Sequence, residues 1–122
     1  MKQDIIAVLI AVLVVLAAAA MGLPELLGAH PFWGQKTAAI GAAIGAGLAC
    51  VLTITHVRNG VRIAIATGAL VVAFACAKIG AARFAASYAE DAVAGQMWFL
   101  GWIGVAAGAC LLIWSLAGFR RA

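Results

Sequence analysis

The side chains able to do chemistry are few, and the most conspicuous is Lys78, set in the apolar stretch AFACAKIGAARF. A lysine in such a run either marks an ion or substrate pathway, or lays its methylene stem along the helix and delivers its ammonium to a polar boundary. Its candidate acidic neighbours are Glu25, Glu90 and Asp91, while Asp4 belongs to the other end of the molecule. Cys50, Cys76 and Cys110 have no CxxC spacing. Thiol redox exchange needs an exposed, low-pKa thiol beside a resolving partner, so the three are read as small packing residues. His30 and His56 fall at opposite ends of the apolar segments, which excludes a shared metal or haem. No phosphate-binding glycine loop, nucleophile elbow or carboxylate pair lies within those segments. No catalytic residue, cofactor or metal ligand is therefore assigned, and no enzyme is expected.

The elements that must position these residues follow from composition. With 67% hydrophobic and 10% charged residues, the chain lies outside the soluble range of about 45–50% and about 25%. The apolar residues form four blocks, 5–23, 37–57, 61–82 and 97–118, each close to the ~20 residues that cross a bilayer as a helix. The run IIAVLIAVLVVLAAAA is apolar on every side, without the alternation of a membrane strand. The expected fold is all-α: one domain over 1–122, four transmembrane helices in an antiparallel bundle. The first block is longer than the ~7–15 residues of a signal-peptide core and is kept as a mature helix. A net charge of +4 does not indicate nucleic acid, because the basic residues are scattered over segment ends rather than gathered on one face.

Those basic residues act as topology markers. Lys2, Arg58, Arg62, Arg120 and Arg121 fall on one side of a four-span chain, and Lys36, Lys78 and Arg83 on the other with Glu25, Glu90 and Asp91. The positive-inside rule then places both termini in the cytoplasm. Leu23-Pro24-Glu25 is expected to end the first helix, and GAHPFWGQK to cross the interface with Phe32 and Trp33. In HVRNGVR, Asn59-Gly60 is expected to turn through positive φ, making the second and third helices antiparallel neighbours. In SYAED, Ser87 and Glu90 have capping-box spacing, and Asp91 is the alternative cap of the fourth helix.

Thr37, Gly41, Gly45, Ala49 and Thr53 recur every four residues and share one helix face, and Gly104 and Gly108 make a shorter version. Small residues let helix backbones approach in a membrane, so these are the candidate helix-packing positions. Trp98 and Trp114 are read as anchors at opposite interfaces, and Trp102 as packed or lipid-facing. Leu13, Val14, Val15, Ala18 and Ala20 slide onto Leu70, Val71, Val72, Ala75 and Ala77, and GLACVL around Cys50 onto AGACLL around Cys110. Such matches suggest two copies of one helical hairpin, as in parallel-repeat transporters.

In length and helix count the chain is similar to small multidrug resistance transporters. That family depends on a glutamate inside its first helix, whereas the acidic residue of the first block is Asp4, at its entrance. Disulfide-generating quinone reductases, also four-helix bundles, are excluded by the missing cysteine pairs. The leading expectation is a non-catalytic subunit or assembly factor, embedded in lipid and holding other membrane subunits through the glycine face. The alternative is a homo-oligomeric transporter or channel lined by Thr53, Thr55, Thr67 and Lys78. Lys78 itself is expected to snorkel toward the extracytoplasmic interface, next to Glu25, Glu90 or Asp91.

Overall fold

Leucine-, alanine- and valine-rich segments with few polar residues inside them produce helices, and the described secondary structure is all helical. The computed structural model describes residues 2–119, with side chains for 4–117. In chain order the helices are α1 (Lys2–Ala20), the single turn α2 (Leu23–Leu26), α3 (Gly34–Ile54), α4 (Asn59–Ala86) and α5 (Ala92–Phe119). Three are long and apolar enough to cross a membrane, over Gly34–Ile54, Asn59–Ala86 and Ala92–Ala117, and the apolar part of α1, Asp4–Ala20, is shorter. Large apolar side chains also cover the outside: Leu13 is 65%, Val71 62% and Val72 64% exposed. A surface apolar along several helices is matched by lipid rather than water, and the chain is accordingly a membrane protein.

The helix bounds differ from the sequence blocks. Helix α1 stops at Ala20, and Gly22 turns the chain at φ +84°. Pro24 begins α2 instead of ending α1, because the first turn of a helix needs no N–H from that position. The turn between α3 and α4 also differs: Asn59 and Gly60 are already helical, and the left-handed residue is His56 at φ 55°. Val57 N–H bonds Leu52 O and His56 N–H bonds Thr53 O, the Schellman pattern with a histidine where glycine is usual. Helix α4 ends the same way around Tyr88 (φ 57°), with Ala89 N–H on Phe84 O and Tyr88 N–H on Ala85 O. Asp91 caps α5, its Oδ1 accepting the Ala94 N–H at 3.0 Å, and Ser87 Oγ accepts the Asp91 N–H at 2.9 Å.

Helices α3 and α4, expected to be neighbours, hardly touch; α5 packs against α1, α3 and α4. The cause is a pair of small-residue faces on α5. Gly101, Gly104 and Gly108 meet Ala77, Ala73 and Leu70 of α4, while Ala106, Ala107 and Cys110 meet Gly41 and Gly45 of α3. At ~100° per residue these faces lie on roughly opposite sides of α5. Helix α1 completes the core with Ala7, Ala11, Val15 and Ala19, four residues apart, in one cluster with Ala42, Ala49, Cys110, Leu111 and Trp114. The helices of the first hairpin have 19 and 21 residues, those of the second 28 each.

Candidate functional site

Because α1 and α3 pack on α5 without closing onto α4, a groove of about 660 Å³ remains between them. Val14, Val15 and Ala18 form one wall and Leu70, Val71 and Ala75 the other, over a floor that includes Trp102 and Ile113 of α5. Most of these facing residues are the ones that the sequence slide matches. The lining is apolar apart from the indole N–H of buried Trp102 and Thr37, whose hydroxyl donates to Gly34 O at 2.8 Å. A surface so poor in donors and acceptors holds hydrocarbon better than a polar solute.

Lys78 stands at the end of this groove that carries α2. Its exposed side chain reaches across from α4, with Nζ 5.5 Å from the centroid of the Phe74 ring, a groove residue one turn away. Nζ also lies against Gly28, where a Cβ would stand 2.9 Å from it. Gly28 has φ +115°, so both backbone and space favour glycine there. The expected acidic residues form no ion pair with it: among the described residues Lys78 has no carboxylate within 4 Å. Glu25 instead packs its carboxylate against Gly34, the first residue of α3, with Oε2 buried and without a hydrogen-bond partner. Asp91 is engaged as the α5 cap, and Glu90 is exposed.

An aromatic cluster fixes this end. Trp98 Nε1 donates to Gly28 O at 2.9 Å, tying α5 to the segment after α2. His30 stacks on Trp33 at 5.5 Å, and both meet the Trp98 ring, His30 at 5.4 Å and Trp33 at 5.1 Å. Residue types gave Phe32 and Trp33 as interfacial, but only the chain's return over α2 brings Trp33 and His30 onto Trp98. Trp102 is buried, edge-on to Phe74 at 6.0 Å.

The opposite end corrects another expectation. Trp114 is no outward anchor but 1% exposed, with the Arg62 guanidinium 4.6 Å from its ring centroid. Arg62 Nε donates to Val57 O at 2.7 Å and Nη2 to Leu52 O at 3.4 Å, serving carbonyls at the end of α3. This arginine was legible only as a topology marker. Arg120 and Arg121 lie outside the described residues.

The packing candidates fall inside the molecule. Thr37, Gly41, Gly45 and Ala49 are buried, and Thr53 is half-buried. A Cβ at Gly41 would collide with Ala106, and one at Gly45 would lie 2.8 Å from Cys110 Cβ. The glycine face is thus taken up by α5 and is not free for a partner. Cys110 is buried, Cys76 half-buried and Cys50 exposed on the outside of α3. The threonines form no common lining: Thr53 Oγ1 donates to Ala49 O and Thr55 Oγ1 to Val51 O, while exposed Thr67 belongs to α4, which hardly touches α3.

No protein family, curated protein or solved structure matches this chain.

Proposed function

We propose that this is a four-span integral membrane protein with both termini in the cytoplasm, acting as a non-catalytic subunit or assembly factor of a larger membrane complex. The observation that carries the reading is the uneven cover of α4. In 28 residues it buries only Ala66, Ala77 and Gly80, all on the side of α5 or nearby helices. The rest of that long apolar helix presents a face that lipid or a partner helix can cover. With the glycine faces occupied internally, the partner surface is assigned to the outer side of α4. Val72 lies there, 64% exposed and outside the groove lining.

The transporter alternative draws less support, since Thr53 and Thr55 bond carbonyls of their own helix, Thr67 stands apart on α4 and the one lysine lies at a groove end. Purification in a mild detergent followed by native mass measurement separates the two. The subunit reading expects heterologous membrane proteins in the particle. A defined homo-oligomer alone would replace it with the transporter reading.

A further inference from the structure

We infer that the groove between α1, α3 and α4 holds one acyl chain of a phospholipid whose phosphodiester rests on Lys78. The inference rests on the membrane reading but not on the existence of protein partners.

Length and lining suit a hydrocarbon chain as occupant. Along the floor the groove runs from Trp102 to Ile113 of α5, ~17 Å at ~1.5 Å per residue. A hydrocarbon chain fits that length and lining, and the groove is partly open, so the second chain of the same lipid stays in the bilayer. The walls offer a polar head little, because the Thr37 hydroxyl is already bonded to Gly34 O and only the N–H of the buried Trp102 indole remains.

Charge settles where the head lies. Lys78 Nζ stands over Phe74 and against Gly28, directly after the groove residue Leu27, where the apolar walls give way to the chain ends. The carboxylates at this end are placed elsewhere: Glu25 against Gly34, Asp91 on the Ala94 N–H, Glu90 exposed and without an ion pair among the described residues. Lys36 and Arg83, at the same end of the chain's spans, share the sign of Lys78. An ammonium in no ion pair, at the end of an apolar groove, is matched by phosphate oxygens through charge-assisted hydrogen bonds.

The test uses the full chain in mild detergent, offered phosphatidylglycerol or diacylglycerol with identical acyl chains, with bound lipid counted by native mass spectrometry. Wild type should retain about fivefold more phosphatidylglycerol than diacylglycerol, the worth of one lysine at a membrane surface. Lys78→Met should erase that preference and Lys78→Arg keep it. Ala75→Phe, which fills the groove from α4, should lower retention of both lipids. Equal retention by wild type, an undiminished preference in Lys78→Met, or full retention in Ala75→Phe would overturn the inference.

Discussion

Gly101 of α5 lies so close to Ala77 of α4 that a Cβ at position 101 would stand 2.7 Å from the Ala77 nitrogen and 2.8 Å from its Cα. Backbone, unlike a flexible side chain, cannot move aside without separating the two helices. Gly101→Leu should therefore lower stability by about 1–3 kcal/mol, the usual cost of overpacking. Gly47→Leu is the control, since a Cβ there meets nothing within 4 Å. Thermal unfolding in detergent should show a clear drop for the first and almost none for the second.

Trp98 holds the α2 segment through one hydrogen bond, Nε1 to Gly28 O at 2.9 Å. Trp98→Phe keeps an aromatic ring against His30 and Trp33 but loses the donor, a change of about 1 kcal/mol. The expected signature is faster amide hydrogen exchange from Leu26 to Ala29, with exchange in the middle of α5 unchanged. Equal exchange in both proteins would show that the bond does not hold the segment.

At the start of α5, Asp91 and Glu90 are neighbours in sequence with separate fates. Asp91→Ala should destabilise by about 1 kcal/mol and Asp91→Asn by much less, because an amide oxygen still accepts the Ala94 N–H. Glu90→Ala should leave the unfolding midpoint in place, since its exposed side chain caps nothing. Equal effects of the two alanine variants would contradict the assignment of the cap.

These positions also mark what the sequence could convey. Apolar runs of spanning length announce helices because lipid leaves the backbone no other partner, so the helical class was legible. The four-residue spacing from Thr37 to Thr53 gave the buried face of α3. Which helix covers that face was not legible: Ala106 and Cys110 look as ordinary in sequence as any alanine or cysteine, and their role depends on α5 lying between α3 and α4. The turns misled for a local reason. Asn59-Gly60 tolerates positive φ, but Arg62 bonds to Val57 O and Leu52 O and the chain turns at His56 instead. Lys78 was conspicuous as a residue, whereas Gly28 and Phe74, which define its surroundings, gave no signal.

The four-span topology depends most on α1, whose apolar part, Asp4–Ala20, is shorter than the other spans. The direct measurement is two-sided labelling with a membrane-impermeant maleimide in a cysteine-free chain that carries an N-terminal epitope tag and single cysteines at Leu26, Arg58 or Glu90. The expected result puts the tag and Arg58→Cys on the cytoplasmic side, and Leu26→Cys and Glu90→Cys on the opposite side. Finding the tag and Leu26→Cys on the same side would contradict it, leaving α1 on the membrane surface and the chain with three spans.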